Sequence, residues 1–212
     1  MSELHIPDPG ERDDLGAFVA RAVRLDQATV VRLRFRGDAG RVDVWVSTPF
    51  DTLVTRSVTG TLSPADLTVA GSELLAALAI VGGERVDPGT PRDLLWRSAL
   101  PPAGGWQFVD QVPASLLGEL TDRGVALARA HAGPQGTPPA ALLDQTVLTV
   151  SGGGFDVKVP LRCLFALSGM GFVPAGAADE PVKVSATDSW LRMDARYGAV
   201  VRRRHALLPL LV

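Results

Sequence analysis

The chain has 212 residues, of which 46% are hydrophobic and 21% charged, and its formal net charge is −2. This composition is typical of a folded globular protein rather than a disordered one, and the charge gives no overall attraction to nucleic acid or to anionic membranes. The longest apolar run, residues 74–81, is far shorter than the roughly 20 residues of a membrane-spanning helix, and a lone Cys163 without a secretory signal predicts a cytoplasmic protein.

The first half of the chain begins with a helix that is predicted over residues 9–25. Asp8 is the expected N-cap, Pro9 stands at the first helical position, and Glu11 completes a capping box. A β-hairpin is predicted next, over residues 28–47, because one register places all its apolar side chains on one face. That register pairs Val31 with Val46, Leu33 with Val44 and Phe35 with Val42. Strands near 52–58 and 67–70 and a helix over 72–80 follow.

The second half of the chain starts after a break at residues 101–105. The pattern predicts a long helix over 113–131, a surface linker over 132–139, and a hairpin whose turn is Gly153-Gly154. The further predicted elements are the hairpin strands 146–152 and 155–159, a helix over 161–170, and strands over 182–186, 189–194 and 198–204.

This order of elements predicts an α+β fold of two lobes, residues 1–110 and 111–212. Each lobe has a long helix and an antiparallel sheet built on a hairpin. Both hairpins follow a Leu-Asp-Gln sequence, at residues 25–27 and 143–145, which suggests an internal pseudo-repeat. The segments after the two hairpins differ, however, since a strand follows the first and a helix the second. An ancestral duplication therefore stays one of two alternatives.

Several segments from about residue 90 onward resemble a family of uncharacterised actinobacterial proteins. They are Trp96-Arg97-Ser98-Ala99-Leu100-Pro101-Pro102, Gly105-Trp106, Val112-Pro113, Thr146-Val147-Leu148-Thr149-Val150, Leu167-Ser168-Gly169-Met170-Gly171-Phe172, Trp190-Leu191-Arg192 and Tyr197-Gly198-Ala199-Val200. The resemblance implies an intact two-part protein and assigns no catalytic or binding residue.

No motif for catalysis is found in the sequence. The three histidines are scattered, and there is no closely spaced set of metal ligands, no serine nucleophile elbow and no glycine-rich phosphate loop. Cys163 lies in an apolar stretch of a predicted helix and is expected to be a buried, inert thiol. We therefore expect no metal, no cofactor and no catalytic residue. An enzyme that holds a small ligand between the lobes is the third-ranked hypothesis.

Two groups of arginines are candidate anion or partner sites. Arg32, Arg34 and Arg36 align on the outward face of the first hairpin beside Trp45, where guanidinium groups and an aromatic ring can hold phosphates and bases. The favoured alternative is a solvated face in which Arg34 pairs with Asp43 and Arg32 lies over Trp45.

The second group comes from a dense basic run at residues 202–204. Because side chains alternate along a strand, only Arg202 and Arg204 can point the same way. Salt bridges to nearby carboxylates are favoured over a contact with nucleic acid.

The C-terminal residues are apolar and form the candidate interface of a homodimer or of a complex with another protein. Burial of such side chains is worth about 1.5–3 kcal/mol each, so the tail is expected to dock on its own lobe or on a partner. The residues concerned are Leu207, Leu208, Leu210, Leu211 and Val212.

The sequence leads to three ranked hypotheses about function. The first is a non-enzymatic cytoplasmic binding or assembly protein that does not contact a membrane. The second is a nucleic-acid-associated protein that uses the arginines at 32–36 and 202–204, and the third is the enzyme described above.

Overall fold

An eight-stranded antiparallel sheet forms the centre of the computed structural model, which describes residues 2–80, 83–131, 138–173 and 180–204. In the first half of the chain the elements are β1 (Glu3–His5), α1 (Pro9–Leu25), β2 (Val30–Arg36), β3 (Arg41–Ser47), β4 (Leu53–Thr59), β5 (Thr61–Ser63), β6 (Asp66–Ala70), α2 (Gly71–Ala79), β7 (Arg85–Val86) and a 3₁₀ turn (Asp93–Leu95). In the second half they are β8 (Gln107–Pro113), α3 (Ala114–Ala130), α4 (Ala140–Leu143), β9 (Thr146–Gly152), β10 (Phe155–Pro160), α5 (Leu161–Gly169), β11 (Pro181–Ala186), β12 (Trp190–Ala195) and β13 (Gly198–Arg203).

The first helix and hairpin form as their local chemistry predicts. The Asp8 side chain accepts a hydrogen bond of 2.8 Å from the backbone N–H of Glu11, which satisfies one of the free donors at the start of α1. In the hairpin, Val31 lies opposite Val46, Leu33 opposite Val44 and Phe35 opposite Val42. The register is therefore set by which side chains must be buried.

The two halves of the chain meet where β4 pairs with β13. The strand order across the sheet is β6-β2-β3-β4-β13-β12-β11-β8, so a three-strand meander from each half abuts at this junction. Thr55 lies opposite Ala199 and Leu53 opposite Val201. The fold class is thus confirmed as α+β with an internal pseudo-repeat. The division into lobes at residues 110 and 111 stays a prediction.

The second predicted hairpin does not join the large sheet. Strands β9 and β10 form a separate two-stranded sheet in which Val150 lies opposite Val157. Its glycines allow close contact with the edge strand β8, because a Cβ atom at Gly153 would lie 2.5 Å from the carbonyl oxygen of Phe108. The meander that corresponds to β2–β4 is therefore β11–β13, and not the hairpin that follows the second Leu-Asp-Gln sequence.

The helices cover one face of the large sheet, which we call the inner face. Phe18 of α1 stacks on Phe172, with ring centroids 6.1 Å apart, and Leu164 of α5 is fully buried in the same core. Among the residues that the structure describes, no helix combines the length and apolar character needed to cross a membrane. The opposite, outer face of the sheet carries the polar side chains.

Candidate functional site

One row of outward side chains crosses all eight strands of the sheet. In order from β6 to β8 it contains Thr68, Arg32, Trp45, Thr55, Ala199, Asp194, Lys183 and Gln111. The small side chains of this row, Thr55 and Ala199, lie at the junction of the two half-sheets, between the larger side chains of Trp45 and Asp194. This arrangement leaves a depression at the junction.

The arginines of the first hairpin lie on this outer face, but their partners differ from those expected. Arg32 forms a bidentate ion pair with Asp66, in which Nε and Nη2 lie 2.8 and 2.7 Å from the carboxylate oxygens. Nε of Arg34 contacts the same carboxylate at 3.2 Å. The hydrogen bonds that Arg32 donates to Asp66 raise the pKa of Arg32 above its ordinary value. Asp43 lies opposite Arg34 across the hairpin, as predicted, but its carboxylate is 3.1 Å from Nε of Arg36. The predicted ion pair between Arg34 and Asp43 is therefore replaced by Arg34–Asp66 and Arg36–Asp43 pairs.

Trp45 cannot serve as a stacking surface, because it is buried on the outer face. It packs with Leu53, Trp190 and Val201, and a segment we call the strap, residues 96–106, lies over this cluster. Arg32 lies over Trp96 of the strap, 5.9 Å from the ring, and not over Trp45 as the sequence suggested. The strap divides the outer face into two depressions.

The larger depression, which we call the strap groove, has a volume of about 1090 Å³. It lies between strap residues 101–106 and the junction of the half-sheets, so its floor includes Thr55, Ser57 and Gly198. Six basic side chains line it against three acidic ones. The basic residues are Arg34, Arg36, Arg56, Lys183, Arg192 and Arg196, and the acidic ones are Asp38, Asp43 and Asp194.

Lys183 differs from the arginines of the strap groove in having no carboxylate partner among the described residues. The Nε atoms of Arg36 and Arg56 are buried, but Asp43 Oδ2 lies 3.1 Å from Arg36 Nε, and Arg56 binds Asp14 of α1 through Nη2. Lys183 lies over Phe108, 5.8 Å from the ring. Lys183 is exposed, so its ammonium is available to an anion from outside the chain.

The smaller depression, which we call the basic pocket, lies on the other side of the strap and has a volume of about 740 Å³. Its wall contains four arginines and one acidic residue, Asp51. The arginines are Arg97 of the strap, Arg202 and Arg203 of β13, and Arg204. Arg203 lies over Trp190, and Arg204 donates to the backbone oxygens of Thr187 and Asp156 at 2.9 and 3.0 Å.

Arg202 and Arg204 therefore differ in their environments, although both belong to the predicted basic run. The Arg202 side chain is only 10% exposed, and its Nη2 atom lies 3.2 Å from Asp144 Oδ1 and 3.6 Å from Asp51 Oδ2. Asp144 also binds Arg162, whose side chain is 7% exposed, through an Nη2–Oδ1 contact of 2.7 Å. Burial raises the pKa of Asp144, but the hydrogen bond and charge of Arg162, with those of Arg202, lower it by more, so the net shift is downward.

The helical side of the sheet carries no comparable excess of positive charge. Its two long helices have equal numbers of acidic and basic residues. In α1 these are Glu11, Asp13 and Asp14 against Arg12, Arg21 and Arg24, and in α3 they are Glu119 and Asp122 against Arg123 and Arg129. The two long helices therefore offer no basic surface comparable to the two depressions.

Three other features were considered from the sequence: a metal site, the Cys163 thiol and the apolar C-terminal residues. Within residues 2–80, 83–131, 138–173 and 180–204, no group of three His, Cys, Asp or Glu side chains could hold a metal ion. Cys163 is fully buried in α5, and burial raises the pKa of its thiol to about 12. The candidate interface residues Leu207, Leu208, Leu210, Leu211 and Val212 lie outside the described residues.

Solved structures with a similar fold are DNA polymerase sliding clamps. The clamp from Bacillus subtilis is 12% identical, with a TM-score of 0.59, and the match covers 99% of this chain and 66% of that chain. The polymerase III beta subunit of Caulobacter crescentus is 13% identical, with a TM-score of 0.58, and the match covers 98% and 66%. A sliding clamp from Bartonella birtlesii, bound to griselimycin, is 13% identical, with a TM-score of 0.55 and coverage of 99% and 67%. The chain thus spans about two thirds of the length of these clamps.

These similarities correct the first-ranked hypothesis about function. A non-enzymatic binding or assembly protein was expected, with nucleic acid as an unlikely partner, whereas the structural neighbours are clamps of DNA polymerase. The ranking of nucleic acid below other partners is therefore not supported, and the second-ranked hypothesis agrees better with the comparisons. At these sequence identities the similarity establishes the fold alone.

Sequence comparison gives a family without an assigned activity. No curated protein matches the chain. Residues 1–98 match the family described as Domain of unknown function (DUF8010), and residues 101–207 match the one described as Domain of unknown function (DUF8185). Because the second match spans half of the sequence, the chain belongs to the family described as Domain of unknown function (DUF8185).

Proposed function

We propose that this protein associates with DNA through the outer face of its sheet, and that the strap groove contacts the phosphate backbone. The fold is similar to that of DNA polymerase sliding clamps, which supports a role at DNA. The excess of basic over acidic side chains in the groove supports the choice of face, because backbone phosphates are bound mainly by Arg and Lys. The two long helices, with balanced charges, offer no such attraction.

The observation that carries this proposal is the Lys183 ammonium on the groove wall, where basic side chains outnumber acidic ones six to three. Lys183 has no carboxylate partner among the described residues. Phosphate oxygens are strong acceptors of charge-assisted hydrogen bonds and would satisfy this ammonium. The contact would read no base sequence, since phosphate contacts position a duplex or strand without specifying it.

Fluorescence polarisation with labelled single-stranded and double-stranded DNA tests the proposal. We expect binding with a dissociation constant of about 10⁻⁴–10⁻⁶ M that weakens as salt is raised, because released counterions drive such association. Absence of binding at low salt, or binding that salt does not change, would overturn it.

A charge reversal at Lys183 locates the contact, and the chain offers a matched control. Lys183 and Lys158 are its two lysines, both exposed, and Lys158 lines neither depression. Lys183→Glu and Lys158→Glu alter the net charge equally. We expect Lys183→Glu to weaken DNA binding and Lys158→Glu to bind like wild type. The slope of the logarithm of the binding constant against the logarithm of salt concentration should fall in magnitude by about one in Lys183→Glu. Equal weakening by both variants would remove the strap groove from the proposal.

Self-association through the apolar C-terminal tail is a separate proposal, as are the cytoplasmic location and the actinobacterial origin. Light scattering after size exclusion, on the full chain and on a chain ending at Arg204, tests the tail. We expect a homodimer that dissociates on truncation. An unchanged mass would reject the tail as the interface.

A further inference from the structure

We infer that the basic pocket is a binding site for a phosphomonoester group, such as the 5′-phosphate of a nucleotide or of a nucleic-acid strand. The pocket is separated from the strap groove by the strap and has its own set of cations. This site goes beyond the proposed backbone contact, because a monoester carries more charge than a backbone phosphodiester and needs a more concentrated cluster of donors.

The charge of the pocket is largely unneutralised. Of its four arginines, Arg97, Arg203 and Arg204 have no carboxylate partner within the described ranges, and Asp51 is the one acidic side chain in the wall. In the strap groove, by contrast, Arg34, Arg36, Arg56, Arg192 and Arg196 each lie beside a carboxylate. A compact dianion is therefore better matched by the basic pocket than by the groove.

The pocket also contains a guanidinium that the fold holds in place. Arg202 is nine-tenths buried, and its Nη2 atom is fixed by Asp144, which Arg162 binds from the other side. Its Nε and Nη1 atoms have no acceptor in the residues described by the structure, although Arg202 lines the pocket. A donor fixed in this way loses little conformational entropy when it binds an oxyanion.

The remaining features of the pocket suit a nucleotide-sized ligand. A volume of about 740 Å³ lies within the range of small-molecule sites. Hydroxyl groups of Ser47, Ser98 and Ser189 add neutral donors and acceptors beside the arginines. The aromatic ring of Trp190 is covered by Arg203 and is not offered as a stacking surface. Recognition therefore centres on the phosphate and not on a base.

The first test uses inorganic phosphate as the probe, with binding followed by ³¹P NMR and by the thermal unfolding midpoint. We expect saturable binding to the full chain. Arg97→Ala/Arg203→Ala should lose about tenfold or more in affinity, because each charge-assisted contact is worth about that factor. The control is Arg85→Ala/Arg123→Ala, which removes two exposed arginines outside both depressions. No saturable binding, or the same affinity in both double variants, would overturn the inference.

The second test distinguishes the source of the phosphate and separates this site from the strap groove. Tighter binding of adenosine monophosphate than of inorganic phosphate would assign a free nucleotide. Tighter binding of a 5′-phosphorylated oligonucleotide than of its 5′-hydroxyl form would assign a strand end. Lys183→Glu should leave phosphate binding unchanged even where it abolishes the salt-dependent DNA contact, whereas loss of phosphate binding in this variant would contradict a separate pocket.

Discussion

Asp144 and Arg162 are joined by a hydrogen bond of 2.9 Å between Oδ1 and Nε, and this contact holds α5 to the segment after α4. Arg162 also donates to the backbone oxygen of Phe50 at 2.7 Å, so the same guanidinium connects the two halves of the chain. Loss of one partner of a buried ion pair commonly costs about 3–5 kcal/mol, because the other charge stays buried. Asp144 is 44% exposed, which reduces that cost.

We therefore expect Asp144→Asn to lower the free energy of unfolding by about 2 kcal/mol. Urea denaturation measures this change. Asp122→Asn is the matched control, because Asp122 is exposed on α3 and has no ion pair within the described residues. If the two variants unfold at the same urea concentration, the ion pairs between Asp144 and the buried arginines do not stabilise the fold.

The same carboxylate predicts a pH dependence of stability. The net downward shift of the Asp144 pKa means that the folded state binds a proton less readily than the unfolded state. The stabilisation by ionised Asp144 is thus complete above the pKa of this group in the unfolded chain, about 4. It is lost as the pH falls through the lower pKa of Asp144 in the folded state. The difference in unfolding free energy between wild type and Asp144→Asn should stay constant from about pH 7 to pH 5 and shrink below about pH 4. A difference that grows on acidification would contradict this assignment.

The thiol of Cys163 should be unreactive in the folded protein. Burial raises its pKa to about 12 and outweighs the charges of Arg202 and Arg162, so almost no thiolate is present at neutral pH. We expect Ellman's reagent to label the thiol only after unfolding in guanidinium chloride. Stoichiometric labelling of the native chain within minutes would show that α5 opens readily.

Local patterns predict the elements of this fold well where burial alternates regularly. The hairpin β2–β3 has one register that buries all its apolar residues, and that register is observed. Strand β8 lacks a regular alternation of buried and exposed residues, because a bulge opposite Val184 and Ser185 interrupts its pairing with β11. Its buried residues, Val109 and Val112, are therefore three positions apart instead of two.

The candidate sites depend on contacts between distant parts of the chain, which local patterns do not contain. The strap groove exists because Thr55 pairs with Ala199, and this pairing brings Lys183 to the same surface as Arg36. The basic pocket likewise needs Arg97 of the strap beside the end of β13. The arginines at 32–36 and 202–204 could be recognised in the sequence, whereas Lys183 and Arg97 gave no signal.

Two glycines of α3 give a direct test of how this helix packs. A Cβ atom at Gly124 would overlap Cδ1 of the buried Leu161 in α5, whereas at Gly118 it would meet no atom within 4 Å. Replacing glycine by alanine inside a helix gains about 0.8–1 kcal/mol, and overpacking a core costs about 1–3 kcal/mol. We expect Gly118→Ala to raise the thermal midpoint and Gly124→Ala to leave it unchanged or lower it. Because both substitutions have the same helix propensity, the difference between the two free energies of unfolding measures the crowding between α3 and α5. Equal stabilisation by both would mean that α3 does not pack on Leu161.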